Sequence, residues 1–292
     1  MIGQQLVNAL MLGSTYALIA LGYTLVFGVL NMLNFAHPTV FAMGGVFFFA
    51  AIAGFGLPLP VAILCVIIGT ALLGLATEFL CFRPSANRKD ELAPAMSSIA
   101  FGLVLLELAG KIWGPDPVRL PPLPGDALLD LGPVQASPIQ LVILGLSLVL
   151  MLGVDAMLQR TKVGYALRAV AERREVAALL GINVKLSVIG AFCLSAVLAG
   201  LAGMLLSMRV GLADPNVGLS FGLRALAVMV IGGLGNVRGA MLAGMLVGFV
   251  DVMALAFLSQ AYSGVAAWVL LLLVLLFKPS GLLGARVQRE GI

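Results

Sequence analysis

Residues 159–187, QRTKVGYALRAVAERREVAALLGINVKLS, interrupt a chain that is otherwise largely apolar. The stretch carries a set of basic side chains with two acidic ones among them: Arg160, Lys162, Arg168, Arg173, Arg174 and Lys185, with Glu172 and Glu175. A segment this charged cannot lie in hydrocarbon. It therefore predicts a loop in water between two membrane spans.

The loop is predicted to be helical. Residues 165–180 are mostly good helix formers, and Gly181 is placed to end the helix in the left-handed conformation. Val176, Leu179 and Leu180 recur at helical spacing and form an apolar face. An apolar face outside the membrane needs a partner protein or the chain's own spans to cover it, and the spacing alone leaves both open.

Composition indicates a polytopic helical membrane protein. The chain is 61% hydrophobic and only 10% charged, which is more apolar than a soluble domain requires. The 35 glycines fit the close packing of membrane helices. The cysteines are scattered and the first segment has no basic n-region or cleavage site, so we expect no metal or disulfide set and no signal peptide.

Hydropathy predicts an all-α bundle of about eight to ten membrane helices, with about nine favoured, in a single transmembrane domain over residues 1–292. Residues 209–222 are interpreted as a polar connector between spans. The predicted spans are 6–30, 40–54, 61–81, 95–112, 139–158, 188–208, 223–231, 240–258 and 266–277.

The charge of the loops predicts the orientation. The loops at 83–91 and 159–187 and the tail from residue 278 are basic, whereas the Pro-rich loop at 113–138 is net acidic. The positive-inside rule then places the amino terminus outside and the loop at 159–187 and the carboxyl terminus in the cytosol. On the outer side lie Arg209, Asp214 and Arg224, either in a solvated loop or on a docking surface for a binding protein.

Two stretches break the spans: NMLNFAHP at 31–38 and GGLGNVRG at 232–239. Irregular backbone at membrane depth must be covered by protein or line a water-filled cavity. Broken helices in both halves of a chain are typical of a substrate pathway. The candidate pathway residues are Tyr16, Asn34, His37 and Asp251.

The polar residues within the spans also have structural explanations. His37 can line the pathway or can be a turn residue satisfied by nearby backbone. Asp251 is a charge in an apolar span, and Arg238 is its candidate partner. Glu107 and Lys111, spaced i, i+4, predict a self-neutralising ion pair near the outer end of their span.

Four stretches carry a resemblance to a known family. EVAALLGINVKL at 175–186 resembles the coupling loop of ABC importer permeases. The stretches at 12–37, 232–244 and 274–284, which read LGSTYALIALGYTLVFGVLNMLNFAH, GGLGNVRGAMLAG and VLLFKPSGLLG, are similar to permeases of branched-chain amino acid transporters, specifically the first of their two permease proteins. The branch also includes permeases for urea and short amides.

The resemblance implies a permease subunit in a bacterial inner membrane. Its expected partners are a second permease chain, two cytosolic ATPases and a periplasmic substrate-binding protein. The residues expected to couple it to an ATPase are Arg168, Glu172, Glu175, Ala177, Ala178, Leu179 and Gly181. This chain departs from the family pattern at Pro38 and Thr39 after the NFAH motif, at Arg238, and at Val176 within the coupling motif.

No enzymatic activity is expected of this chain. It has no Gly-rich phosphate loop ending in Gly-Lys-Ser/Thr and no constellation placed for catalysis, so ATP hydrolysis is expected on partner subunits and no cofactor is expected here. The alternative hypothesis is an ion-coupled secondary transporter or channel for a small polar solute. That mechanism needs an ionisable group at mid-membrane, for which Asp251 is the candidate.

Overall fold

The computed structural model describes residues 2–85, 92–122, 129–130, 135–136, 138–258 and 260–284. The described chain is almost entirely helical, which confirms the predicted all-α polytopic class. The helices are α1 Ile2–Leu30, α2 His37–Phe49, α3 Leu59–Thr77, α4 Leu92–Trp113, α5 Pro138–Arg160, α6 Lys162–Glu172, α7 Arg174–Leu179, α8 Val184–Val210, α9 Val217–Gly232, α10 Val237–Phe257 and α11 Gln260–Phe277.

Short irregular elements extend this set. A π-helical turn, Ala50–Gly54, continues α2, and another, Glu78–Phe82, continues α3. Four two-residue strands form two antiparallel pairs in which β1 pairs with β4 and β2 with β3. They are β1 Val118–Arg119, β2 Leu129–Asp130, β3 Gln135–Ala136 and β4 Leu212–Ala213.

Seven described helices are long and apolar enough to cross a membrane, and two shorter apolar helices, Val217–Gly232 and Gly264–Phe277, accompany them. With the two shorter ones counted as broken or half helices, the described chain has nine apolar helices, within the predicted eight to ten. At about 1.5 Å per residue, the 16 residues of α9 reach about 24 Å, which is less than the roughly 30 Å hydrocarbon core. Helix α9 is therefore too short to cross alone.

The bundle has inner and outer helices. In α1, 83% of the most apolar window is buried, against 22% in α3 and in α4. Helix α1 packs on α10, and α8 packs on α2 and α3. At the α2–α8 contact Gly44 lies against Gly200, where a Cβ would overlap the facing backbone, so the two helices approach more closely than larger residues allow.

The same packing arrangement occurs twice. Helix α1 packs on α10 and α9, as α8 packs on α3 and α2, and the pairs α2–α4 and α9–α11 correspond. In each set a long helix is followed by a non-helical segment and a short apolar helix, 31–36 before α2 and 211–216 before α9. This repeat places a short helix from each half inside the bundle.

The predicted break at 31–38 is present, and the chain turns back into the bundle there. Helix α1 ends at Leu30, and α2 begins at His37, three residues before the predicted start. The His37 ring lies beside Ile19 and Gly22 of α1. Eleven residues separate Ile19 from Leu30, or about 16 Å of helix, so α2 starts well inside the bundle rather than at its end.

The break at 232–239 is also present, as residues 233–236 between α9 and α10. The Asn236 side chain accepts a hydrogen bond from Gly239 N–H and caps α10. The predicted connector at 209–222 is wrong in part, because α9 begins at Val217. Two polar residues of α9, Ser220 and Arg224, lower the local hydropathy, although the helix packs in the bundle.

Candidate functional site

Helix α6 starts the charged segment. Thr161 precedes it in an extended conformation, and its side chain accepts a hydrogen bond from Gly164 N–H. Leu167 and Val170 are buried, while Arg168 and Glu172 face outward. The Arg168 guanidinium lies over the Tyr165 ring at 4.9 Å. The apolar side of α6 thus packs on the bundle and its charged side stays free; we call this end of the bundle the α6–α7 end.

The continuous helix predicted across residues 165–180 is wrong at Arg173. This residue adopts φ −152° and ψ 106°, which ends α6 and starts α7. Arg174 Nη2 donates a hydrogen bond of 3.1 Å to Val29 O near the end of α1, and partial burial lowers the pKa of Arg174. This contact ties α7 to α1, and no helix-propensity pattern could have indicated it.

Helix α7 ends as predicted at Gly181, which has φ 83°. Gly181 N–H donates to Ala178 O, and Ile182 N–H donates to Ala177 O, which is the Schellman arrangement. Only glycine adopts this backbone conformation without strain. The stop fixes where the following chain leaves and how α7 is presented.

The apolar face of α7 is exposed in this chain. Leu179 is 86% and Leu180 74% exposed, and Val176 is 44% exposed. Glu175 and Ala178 are also exposed, whereas Ala177 is 1% exposed and packs inward. Of the predicted coupling residues, Ala177 alone is therefore turned away from any partner.

A cleft of about 650 Å³ lies beside α6, between α1, α5 and the α9–α10 turn. Arg238 lines it and forms an ion pair with Asp155, with Nε 3.1 Å from Oδ1. The predicted partnership of Arg238 with Asp251 is therefore wrong. Arg238 begins α10 at the α6–α7 end, and Asp251 lies nearly four turns further along the same helix.

A polar cluster lies in the middle of the bundle. The Tyr16 hydroxyl donates a hydrogen bond of 2.9 Å to Asp251 Oδ2 and accepts one of 3.3 Å from Arg224 Nη1. Arg224 Nε is 3.8 Å from Asp251 Oδ2. Tyr16 is the central residue of α1 and Arg224 lies at the middle of α9. The expectation that Arg224 lies on the outer side, in a solvated loop or on a docking surface, is therefore wrong.

His37 and Asn34 occupy the re-entrant break. His37 Nε2 donates to Ile19 O at 3.1 Å, and its Nδ1 lies 3.3 Å from Ser195 Oγ, which itself donates to Gly22 O. Asn34 Oδ1 accepts from Ala36 N–H. Both side chains are buried: His37 joins α2 to α1 and α8, and Asn34 caps the turn that precedes α2.

The ion pair expected on α4 is wrong. No ion pair joins Glu107 to Lys111 in the described part of the chain, and both side chains point outward from α4. Within the same residues, no group of three His, Cys, Asp or Glu could hold a metal ion. A partly buried ion pair that was not predicted joins Glu78 to Arg83 at 2.7 Å across the π-helical turn after α3.

Sequence reasoning missed Arg224, Ser195 and Asp155 as members of polar contacts. The sequence alone places Arg224 on the outer side, at the start of the short apolar run 223–231. Its one available signal was the spacing of Asn216, Ser220 and Arg224 at i, i+4, i+8, which places three polar residues on one helical face. Contacts between distant helices leave no such signal for Ser195 or Asp155.

These features define a class: a multi-pass helical membrane protein with broken helices in both halves, which is the architecture of solute permeases. A family model described as the permease component of the branched-chain amino acid transport system matches residues 5–276. The chain belongs to this family, which confirms the resemblance drawn from the four stretches.

Characterised relatives match over nearly their whole length. The chain is 37% identical over 293 residues to the high-affinity branched-chain amino acid transport system permease protein BraD of Pseudomonas aeruginosa PAO1, covering 96% of this chain and 95% of that protein. It is 34% identical to the corresponding protein LivH of Salmonella typhimurium LT2, again over 96% of this chain and 95% of that protein. LivH of Escherichia coli K12 is likewise 34% identical, with the same coverage.

Proposed function

We propose that this chain is the transmembrane permease subunit of an ABC importer for branched-chain or related neutral amino acids. In this role it receives substrate from a periplasmic binding protein and releases it to the cytosol. It works with a second permease chain and two cytosolic ATPases, and residues 1–292 act as one permease domain. The family and its relatives support the class of transporter.

The observation that carries the proposal is the exposed apolar face of α7. Leu179 and Leu180 are largely exposed at an end of the bundle that is too charged to lie in lipid. Burying one leucine is worth roughly 1.5–3 kcal/mol, so a partner groove that covers this face gains substantially. Glu172, Glu175 and Arg168 flank the face and supply polar contacts at its rim. The groove belongs to the ATPase.

The internal contacts of α7 suit it to transmit movement. Ala177 packs inward. Ala178 and Gly181 are small, so the Leu179 side chain protrudes from the exposed surface of α7. Arg174 links α7 to the last turn of α1 through Val29 O. A push from the ATPase on α7 is thereby passed to α1, the helix that also carries Tyr16.

The proposed orientation follows from docking. The α6–α7 end faces the cytosol, and the amino terminus of α1 faces the periplasm of a bacterial inner membrane. The basic residues Arg83, Arg160 and Lys278 lie at or near this end, as the positive-inside rule requires. Tyr16, Asn34, His37 and Asp251 then lie between the two faces, where they border or support the substrate pathway.

Replacing Leu179 by Ser tests the docking. We expect substrate-stimulated ATPase activity of the assembled complex to fall about tenfold or more, because an apolar anchor is lost from the interface. Leu283→Ser is the matched control, since Leu283 is also exposed near this end but lies outside α7. Equal activity in the two variants would contradict docking at α7.

The same complex separates this function from the alternative one. In an ABC importer, uptake into proteoliposomes stops when the ATPase subunits are omitted. Uptake that continues without them and collapses with the proton gradient identifies an ion-coupled transporter that uses Asp251.

A further inference from the structure

Helix α9 carries a polar face into the middle of the bundle. Asn216, Ser220 and Arg224 follow at i, i+4, i+8, and Asn216 and Ser220 are exposed. The Arg224 side chain is 24% exposed. A guanidinium at the depth of Tyr16, the central residue of α1, does not face lipid, because a charge there is costly. The exposed part of this face therefore borders water or another protein, as the wall of a solute path does.

Arg224 and Asp251 do not satisfy each other. Their nearest atoms, Nε and Oδ2, are 3.8 Å apart, which is beyond hydrogen-bonding distance. The hydrogen bond of Arg224 goes to the Tyr16 hydroxyl instead, at 3.3 Å. The other carboxylate oxygen, Asp251 Oδ1, is buried and has no hydrogen-bond partner among the residues that the structure describes. A buried carboxylate oxygen without a donor is costly unless a ligand or water meets it.

We propose that Arg224 and Asp251 form a binding site for the paired charges of a zwitterionic amino acid. The solute's carboxylate binds the remaining donors of the Arg224 guanidinium, and its ammonium binds Asp251 Oδ1 once α9 and α10 move apart. The site stays electrically neutral, because the Arg224 guanidinium binds the solute's carboxylate in place of Asp251, and Asp251 binds the solute's ammonium in place of Arg224. The inference rests on the proposed import function and names the chemistry by which the permease itself recognises its cargo.

Tyr16 is the positioning residue of this site. Its hydroxyl stands between the guanidinium and the carboxylate and bonds to both, which keeps them from closing into a direct pair. The Tyr16 ring packs on Phe221 at 5.6 Å, which fixes the hydroxyl in place. Leu219 and Leu223 are exposed beside the polar face and offer apolar contacts to an uncharged side chain.

The test is ligand-observed NMR on the full-length chain, with whatever subunits co-purify, in nanodiscs and without the binding protein. The probes are L-leucine, leucinamide, which lacks the carboxylate, and 4-methylpentanoate, which lacks the ammonium. We expect the unmodified chain to bind L-leucine about tenfold more tightly than either analogue, since a hydrogen bond to a charged group is worth at least that much. In Arg224→Gln the preference over leucinamide disappears, and in Asp251→Asn the preference over 4-methylpentanoate disappears.

Two controls separate a binding effect from misfolding. Tyr16→Phe keeps both charges, and we expect it to weaken L-leucine binding while the thermal midpoint changes little. Glu107→Gln removes a carboxylate on α4 outside the site and leaves all three affinities unchanged. Equal affinity of the unmodified chain for the three probes, or full L-leucine affinity in Arg224→Gln, overturns the proposal.

Failure of the proposed binding site can be distinguished from failure of the proposed import function. Binding is measured without ATP, so a chain that shows the charge preference but assembles with no ATPase retains this site and loses the proposed function. A complex with substrate-stimulated ATPase activity but no charge preference retains the function and loses the site.

Discussion

The apolar face of α7 and the polar cluster at Tyr16 are each placed in surroundings opposite to their own chemistry. Leu179 and Leu180 are exposed on a charged segment outside the hydrocarbon, and Asp251 is buried at 1% exposure within it. The first needs an apolar cover, and the second has a carboxylate oxygen, Asp251 Oδ1, to which none of the described residues donates a hydrogen bond. Both requirements point away from the isolated chain, the first to a partner protein and the second to a solute.

The two regions also differ in how they are held. Helix α7 is attached by a few contacts, notably Arg174 to Val29 O and the turn at Gly181. The cluster joins α1, α9 and α10, three helices packed along their lengths. Changes that leave a charge of the cluster unpaired should therefore affect global stability, and changes at α7 should affect only local structure and partner contact.

The largest effect is expected from Asp251→Ala. The substitution leaves the Arg224 guanidinium in the bundle without its counter-charge, which costs about 3–5 kcal/mol for a buried pair. The thermal unfolding midpoint of the detergent-purified chain should fall strongly. A double variant, Arg224→Leu with Asp251→Leu, should regain most of the stability, because no unpaired charge remains. If the single variant is as stable as the unmodified chain, the cluster does not hold the three helices together.

An intermediate effect is expected from Gly181→Val. A β-branched residue at φ 83° is strained by about 1–3 kcal/mol and disrupts the Schellman turn. Hydrogen exchange of the amides at 176–182 should accelerate while the remaining helices keep their protection. Gly190→Val is the control, since a Cβ at that helical glycine meets no atom within 4 Å. Loss of protection throughout the bundle would mean that α7 is not held more weakly than the other helices.

The smallest effect is expected from Arg238→Gln. Its ion pair with Asp155 is exposed, with the Arg238 side chain 60% accessible, and salt screens such pairs. The thermal midpoint should not change measurably at physiological salt. A drop comparable to that of Asp251→Ala would show that the two ion pairs do not differ by burial as we infer.

Local patterns explain what could be predicted. The charges at 159–187, the glycine stop at 181 and the apolar spacing of Val176, Leu179 and Leu180 are properties of neighbouring residues, and all three appear in the structure. The break at 31–38 was predictable for the same reason. The start of α9 was not, because polar residues such as Ser220 make a packed helix resemble a polar connector, and the partner of Arg224 on α1 is brought to it only by the folded bundle.

The sequence by itself determined that this chain is a membrane bundle, where its spans break and which loop carries an apolar helix, since these depend on hydropathy and spacing along the chain. Only the tertiary structure decided that Arg238 pairs with Asp155 while Arg224 and Tyr16 meet Asp251. It also decided that α2 starts beside Ile19 and that Ala177 faces inward. Charge pairing and burial depend on which helices are brought side by side, and residues more than 200 positions apart, such as Tyr16 and Asp251 with a separation of 235, meet only when the bundle forms.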